Sequence, residues 1–272
     1  MAGPAVLIWI LAALGLISVF WSRKARTTRW FVAGFLLFSF FAVCPGFYFR
    51  PHYFIVFLPA VALLAGAAVS VTTEEFRNHA NLRSFRFVPA LTLLVAIAIT
   101  INRQHDFLFA MDPLTACRSI YGNSPFPEAL PIADFLRTQA SPSASVAVLG
   151  SEPEIYFYSH LHSATGYIYT YPLMEHQPYA LQMQKEMISE IEKARPEFLV
   201  VVGVPVSWLR RPESPSLILQ WASRYLADRY QLAGVVDILP QSQYHWGEQA
   251  ASYHPVSLDT VRVFKRISAS AN

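Results

Sequence analysis

The 272-residue chain is 54% hydrophobic and only 14% charged, and its formal net charge is +3. Soluble domains carry about a quarter of their residues as charged side chains, so this composition excludes one ordinary soluble domain and favours a membrane protein. The first 110 residues carry nine Lys and Arg against three Asp and Glu, whereas the rest carry twelve against fifteen. A basic, apolar front and a mildly acidic back predict two parts in different solvents, and they argue against a nucleic-acid partner.

Four apolar segments within residues 1–104 predict a transmembrane bundle, because about 20 helical residues cross a bilayer core of about 30 Å. Residues 4–21 contain no charge, and residues 30–43 and 53–71 are similarly apolar. Residues 87–102 lie between two arginines and would reach only about 24 Å as a helix. This last segment predicts either a span whose flanking arginines extend to the interfaces or a buried or re-entrant helix.

The short basic loops predict the orientation of these spans. Residues 23–29 carry four basic residues and residues 72–86 carry three, so both loops are expected in the cytoplasm. The turn at residues 45–52 then faces outward, and the chain beyond Arg103 is expected on the outer side of a plasma (inner) membrane that it crosses several times.

Beyond Asp112, short apolar runs alternate with amphipathic stretches. The pattern predicts helices at residues 127–139, 179–194 and 215–230, and strands at 145–149, 198–202, 235–239 and 261–265. Such alternation is typical of a small three-layer α/β domain with a largely parallel sheet. The predicted organisation is therefore a transmembrane region at 1–104, a linker at 105–126, an extracytoplasmic α/β domain at 127–268 and a tail at 269–272.

Two local patterns lie inside this predicted domain. Ser151 and Glu154 have the spacing of a capping box at the start of a helix. Tyr167, Tyr169 and Tyr171 alternate along a predicted strand, so their rings share one side. That stripe could form a platform for the flat faces of sugars, although packing beneath a helix is the commoner role of strand tyrosines.

The residues that could bind a metal or form a disulfide are few. His160 and His162 would lie on one face of a strand and could supply two ligands to a divalent metal. No third ligand is obvious, although folding could bring Glu152, Glu154 or His176 near. Exposed loop histidines are the commoner alternative, so we expect no cofactor. Cys44 and Cys117 are the only cysteines. Both are predicted near the outer membrane face, where an oxidising compartment permits a disulfide, and two unpaired thiols are the alternative.

The segment FYFRPHYFIVFLP, residues 47–59, places Arg50 and His52 among aromatic side chains at the outer end of a predicted span. A guanidinium in this position can pair with both oxygens of a phosphate in the lipid headgroup layer. Ordinary anchoring by an interfacial arginine and an aromatic belt is the alternative.

Several stretches resemble the C-terminal half of GT-C membrane glycosyltransferases, and they cover most of residues 30–202. They are FYFRPHYFIVFLPAVALLAG, NSPFPEALPIADFLR, VAVLGSEPEIYFYS and ATGYIYTYPL. The similarity is to glycosyltransferase family 39, which includes protein mannosyltransferases, and to the related lipopolysaccharide-core and aminoarabinose transferases. The resemblance implies transfer of a sugar from a polyprenyl-phosphate donor to an extracytoplasmic acceptor. It also implies that Arg50 and His52 contact the donor phosphate and that Tyr53 supports them.

The chain departs from that family in lacking its catalytic base, an acidic residue in the first outer loop. No acidic residue precedes Glu74, and Glu74 and Glu75 are predicted on the cytoplasmic side. Asp106 and Asp112 are on the outer side but follow the last span. We therefore expect part of a transferase whose N-terminal catalytic half is encoded upstream. The alternative is a membrane-anchored module that binds glycans or proteins without catalysis.

Overall fold

The computed structural model describes residues 5–22 and 24–267, except for the side chains of residues 24 and 25. Pro4 at the start of the first predicted span, Arg23 in the first basic loop and the predicted tail at 269–272 lie outside the described residues. The chain forms two compact units, Met1–Met111 and Asp112–Asn272.

The described residues of the first unit form helices joined by turns and short irregular segments, and none of them is in a strand. Its α-helices are α1 (Val6–Trp21), α2 (Arg29–Phe41), α3 (Leu58–Asn78) and α4 (Val88–Arg103). Shorter 3₁₀ turns at Lys24–Thr27, Pro45–Phe47, Pro51–Phe57 and Ala80–Phe85 join them, and a π-helical turn follows at Asp106–Ala110.

The prediction of a bundle of about four transmembrane helices is wrong. Among the described residues, only Pro51–Asn78 and Ala80–Arg103, of 28 and 24 residues, are long and apolar enough to cross a membrane. Helix α1 has 16 residues and α2 has 13, so they reach about 24 Å and about 20 Å, short of the hydrocarbon thickness. Residues 87–102, predicted as either a span or a buried or re-entrant helix, belong to the 24-residue helical run Ala80–Arg103. The 3₁₀ turn Ala80–Phe85 extends this run at its amino end.

Helices α1 and α3 approach closely along a seam of small residues. Ala12 and Gly15 of α1 and Ala65 and Ala68 of α3 are all buried. A methyl group added at Gly15 would lie 1.8 Å from the carbonyl oxygen of Leu64, which is far inside van der Waals contact. Glycine is therefore required at residue 15, because the two backbones touch there.

The Gly15→Ala variant should destabilise the first unit, since α1 and α3 must separate to accept the new methyl group. We expect a loss of about 1 to 3 kcal/mol in the free energy of unfolding, measured by titration of the detergent-solubilised protein with a denaturing detergent. Gly66→Ala is the matched control, because nothing lies within 4 Å of a methyl group added there. Equal stability of the two variants would contradict the close packing of α1 on α3.

The second unit is an α/β domain. Its helices are α5 (Pro113–Tyr121), α6 (Phe126–Gln139), α7 (Pro153–Ser159), α8 (Tyr171–Met174), α9 (Ala180–Ala194), α10 (Pro205–Trp208), α11 (Leu217–Arg229) and α12 (Glu248–Ser252). Its strands are β1 (Ser145–Leu149), β2 (His162–Ser163), β3 (Phe198–Val202), β4 (Tyr230–Asp237), β5 (Gln243–Trp246) and β6 (Thr260–Arg266).

The six strands form one mixed sheet in the order β2-β1-β3-β6-β4-β5, so the prediction of a largely parallel sheet is wrong. Strands β2, β1 and β3 are parallel, whereas β6 runs antiparallel to both β3 and β4, and β5 is antiparallel to β4. The antiparallel half arises because β4 and β5 form a hairpin and the chain then returns as β6 between β3 and β4.

The sheet separates two hydrophobic cores, one on each face. Alternate residues of the central strands point to opposite sides. Val146 and Val200 pack against α6 and α7 on one face, and Ala147 and Leu199 pack against α9 and α11 on the other. The buried positions make the central strands continuous apolar runs, as expected for strands covered on both faces.

Candidate functional site

Arg50 lies at the start of the longest apolar helical run, where the 3₁₀ turn Pro51–Phe57 leads into α3. Its backbone is extended and its carbonyl accepts a hydrogen bond of 2.9 Å from the amide of Tyr53. The guanidinium carbon lies 5.5 Å from the centroid of the Tyr48 ring, within cation–π range. The side chain is half-buried, so its charge is held against an aromatic surface at the helix end.

The two partners predicted for Arg50 are next to each other. The rings of His52 and Tyr53 meet edge to face, with centroids 4.6 Å apart and planes at 89°. His52 is exposed and lies in the first turn, where backbone amides without helical partners and the positive end of the helix dipole favour anions. The arrangement is chemically suited to hold a phosphate.

The backbone before Arg50 adopts an unusual conformation. Gly46, Phe47 and Phe49 have φ values of 75°, 54° and 45°. Positive φ is uncommon for bulky residues and costs conformational energy, which proteins retain mostly at functional positions. Phe47, Tyr48 and Phe49 form a group of exposed rings, and the ring of Tyr48 lies beside the guanidinium.

The acidic residues considered as bases have other roles or positions. Both carboxylate oxygens of Asp112 cap α5: they accept hydrogen bonds from the amides of Leu114 and Thr115, at 3.0 and 3.2 Å, and from the Thr115 hydroxyl at 2.5 Å. The hydroxyl hydrogen bond lowers the pKa of Asp112, which weakens it as a base. Asp106 is exposed, 3.4 Å from the ring of its neighbour His105.

Glu74 and Glu75 lie at the other end of α3 from Arg50, more than about 30 Å along the helix axis. There they border a cavity of about 1390 Å³ between α1, α2 and α3. Its walls combine apolar residues such as Phe31 and Leu63 with hydroxyl groups such as that of Ser70. Neither glutamate can therefore act on an acceptor held near Arg50.

The histidine and cysteine candidates do not form a metal site. His160 adopts a left-handed conformation at the end of α7, and His162 is exposed in β2. Across the described parts of the chain, no three His, Cys, Asp or Glu side chains gather in a way that could hold a metal ion. Cys44 and Cys117 are free thiols.

The tyrosine stripe is not on a strand. Residues 165–170 are irregular, and Tyr171 begins α8. The hydroxyl of Tyr167 donates a short hydrogen bond to Glu186 of α9, which raises the pKa of this phenol to about 12. The rings of Tyr169 and Tyr171 lie 4.4 Å apart, and Tyr171 donates to the carbonyl of Val206 at 2.6 Å. Tyr167 is thus hydrogen-bonded to α9, and the platform for sugars stays a prediction.

Sequence reasoning missed a buried polar cluster where β1 and β3 end. The chain leaves β1 toward β2 on one side and returns to β3 on the other, and ligands of α/β sheets bind at such switch points. Glu152 and Ser207 occupy this position, and both are buried. The sequence signal that could have indicated this cluster is the presence of polar residues directly after the buried strand β1.

A continuous hydrogen-bond network joins these loops. The Ser207 hydroxyl donates to the Glu152 carboxyl at 2.8 Å and accepts from the amide of Ser151 at 2.9 Å. The predicted capping box is wrong, because the Ser151 hydroxyl instead accepts from the amide of Thr170 at 3.0 Å. A methyl group at Gly150 would lie 2.2 Å from the Glu152 carboxyl, so that carboxyl packs against bare backbone.

Burial raises the pKa of Glu152 to about 8, although the hydrogen bond from Ser207 favours the ionised form. The carboxyl is therefore largely protonated at neutral pH. It is only 3% exposed, so a large ligand cannot touch it without movement of the loops. The geometry supports a structural role, in which hydrogen bonds of Ser207 join the segments that follow β1 and β3.

No family model, curated protein or solved structure matches this chain. The positions and chemistry of its own residues therefore carry the functional argument. Arg50 with His52 and Tyr53 is the candidate site, because it combines accessible charge, aromatic surface and a helix amino terminus. The Glu152 cluster is buried and structural.

The Glu152→Gln variant should remove a pH dependence of stability. Between pH 5 and 8 the folded chain holds a proton on Glu152 that the unfolded chain releases, so wild-type stability falls as pH rises through this window. Glutamine does not ionise, and its advantage over wild type should grow by on the order of 3 kcal/mol from pH 5 to pH 8.

Chemical denaturation at several pH values, followed by near-ultraviolet circular dichroism, measures this difference. Glu213→Gln, at an exposed loop position, is the matched control and should follow the wild-type pH profile. Parallel profiles for wild type and Glu152→Gln would show that the buried carboxyl is not protonated in the folded chain.

Proposed function

We propose that this chain is part of a membrane glycosyltransferase and that Arg50, His52 and Tyr53 bind the phosphate of a polyprenyl-linked sugar donor. The observation that carries the proposal is the position of Arg50 at the amino terminus of the 28-residue apolar run Pro51–Asn78. A lipid phosphate at a bilayer surface would meet the guanidinium, the helix dipole and His52 together. The exposed rings before Arg50 could contact the lipid chain or a sugar.

The proposed membrane placement rests on the two long apolar helical runs. Arg77 lies at the end of the first run, and Arg83 and Arg86 lie near the start of the second. The positive-inside rule places this connection in the cytoplasm. Arg50 and Arg103 then lie at the outer surface, and the second unit follows on that side. This orientation in an inner or plasma membrane is part of the proposal.

A second candidate function is a membrane-anchored module that binds glycans or proteins without catalysis. The favouring observation is the use of both Asp112 oxygens in a helix cap, together with the distance of Glu74 and Glu75 from Arg50. If the chain is part of a transferase, its catalytic base comes from another polypeptide, which we propose is encoded upstream. Sugar transfer by the purified chain alone would exclude the binding module.

The Arg50→Ala variant should bind polyprenyl phosphate about 10- to 100-fold more weakly than wild type. The estimate corresponds to the loss of one charge-assisted contact of about 1.5 to 3 kcal/mol. Arg50→Lys should recover part of the affinity, since an ammonium keeps the charge but not the two-pronged geometry. The measurement is titration of the full chain in lipid nanodiscs with polyprenyl phosphate.

Two controls separate phosphate recognition from general lipid binding. Arg103→Ala removes a charge from the carboxyl end of the second long run, which the proposal places at the same membrane surface as Arg50. This variant should leave the affinity for polyprenyl phosphate unchanged. Polyprenol of the same length lacks the phosphate and should bind wild type and Arg50→Ala equally. If Arg50→Ala binds polyprenyl phosphate as tightly as wild type, Arg50 is not part of a phosphate site.

A further inference from the structure

A short loop at residues 253–259 connects α12 to β6. Because Val202 pairs with Val261, this loop lies where β3 ends and β6 begins. The amide of Gly203 donates to the carbonyl of Thr260 at 2.7 Å, which joins the two segments. We call this end of the sheet, where β1 and β3 terminate, the carboxyl edge.

The loop is held in place by a buried carboxylate. Asp237, at the end of β4, is fully buried and accepts hydrogen bonds from the Tyr253 hydroxyl at 2.7 Å, the Val256 amide at 2.7 Å and the Ser257 amide at 3.1 Å. The Ser257 hydroxyl in turn accepts from the amide of Asp259 at 3.0 Å. These contacts fix the backbone of the loop.

This fixed loop presents two apolar side chains to solvent. Val256 is 83% exposed and Leu258 is 96% exposed. They are two residues apart and separated by Ser257, whose backbone amide turns inward to Asp237. Apolar side chains displayed on a fixed loop are typical of a surface that another apolar phase covers.

We propose that the loop at residues 253–259 inserts Val256 and Leu258 into the bilayer interface and so holds the carboxyl edge of the second unit against the membrane. The inference rests on the proposed membrane attachment of the first unit. It adds a second contact with lipid, made by the α/β domain itself.

Only a short stretch of chain separates the loop's anchor at Asn123 from Asp112, where the second unit begins. The Asn123 side chain donates to the Asp259 carboxylate at 2.7 Å. Asn123 follows α5, whose nine residues span about 14 Å, and α5 begins directly after the first unit ends at Met111. The preceding turn Asp106–Ala110 contains exposed phenylalanines, which suit a position in the interface. The hydrogen bond between Asn123 and Asp259 and the short helix α5 therefore limit how far the loop can lie from Asp112.

Other apolar groups lie on the same edge. Tyr121 and Phe126 flank the Asn123 turn, with ring centroids 4.9 Å apart, and both remain accessible. Val206 follows the end of β3 and is also exposed. Together with the loop they make an apolar rim consisting of Tyr121, Phe126, Val206, Val256 and Leu258.

The opposite end of the sheet carries polar and charged contacts. Lys265 and Glu197 form an ion pair of 3.4 Å there, and the Ser141 hydroxyl donates to the same carboxylate at 2.6 Å. Burial of these groups in lipid would be unfavourable. The apolar rim and the short chain connection to Asp112 favour the carboxyl edge as the one that faces the bilayer.

Site-specific fluorescence in the full chain tests this inference. Leu258→Cys and Ser143→Cys are made in a Cys44→Ser, Cys117→Ser background and labelled with a nitrobenzoxadiazole fluorophore. Ser143 is exposed at the opposite end of the sheet, just before β1, and is the matched control. Each protein is reconstituted into phosphatidylcholine and phosphatidylglycerol vesicles, with or without bromine atoms on the acyl chains next to the headgroup.

We expect brominated lipid to quench the fluorophore at residue 258 by at least about twofold and to leave residue 143 unaffected, because interfacial segments penetrate about 5 to 10 Å. If brominated lipid quenches the fluorophore at residue 258 no more than at residue 143, in protein that still floats with the vesicles, the loop insertion is overturned. The membrane attachment is then left intact. The apolar pair would then fit a protein partner. Failure of the chain to float with vesicles would overturn both proposals.

Discussion

The length of the helical run Pro51–Asn78 determines what the first unit can do. At 1.5 Å per residue its α-helical part alone is about as long as a bilayer core is thick, so groups at its two ends would face different surroundings in the proposed membrane placement. Arg50 and His52 lie at one end, and Glu74 and Glu75 lie at the other. The helix therefore separates a cationic, aromatic surface from an acidic cavity. The small-residue seam around Gly15 packs α1 closely along this helix.

The second unit depends on a different constraint, the meeting of loops at the end of parallel strands. Strands β1 and β3 are neighbours that end together, so the segments after them must pack against each other. Gly150 allows the Glu152 carboxyl to lie against the backbone, and Ser207 supplies its hydrogen bond. A protonated carboxyl in this position avoids the cost of a buried charge. The same edge presents the loop that Asp237 fixes, so rigidity is concentrated where the apolar rim is displayed.

These two constraints bear on function in different ways. The phosphate-binding proposal needs only the chemistry of the first unit, since Arg50, Tyr48 and His52 belong to one short segment. Catalysis would need a base, and Asp112 is engaged in capping α5. A chain that binds a lipid-linked donor and relies on another polypeptide for proton abstraction is consistent with both facts. Insertion of Val256 and Leu258 would bring the α/β domain to the membrane surface.

The sequence by itself determined the local elements with strong periodic or apolar signals. The strands SVAVL and FLVVV match β1 and β3, because runs of β-branched and apolar residues favour buried strands whatever their partners. It also identified Arg50, His52 and Tyr53 as one segment at a helix end, since these residues are adjacent in the chain. The sequence did not determine the number of long apolar helices, because hydropathy shows where apolar residues lie and not where a helix begins.

The tertiary structure alone decided strand direction, hydrogen-bond partners and protonation. The antiparallel pairing of β6 with β3 joins residues about 60 positions apart, which no local pattern encodes. The Ser151 hydroxyl bonds to Thr170 and not to its own helix because folding brings a distant amide closer than the local one. Glu152 keeps its proton for the same reason, since its burial is created by distant segments. Local sequence governs which conformations a segment favours, and long-range packing governs what each side chain meets.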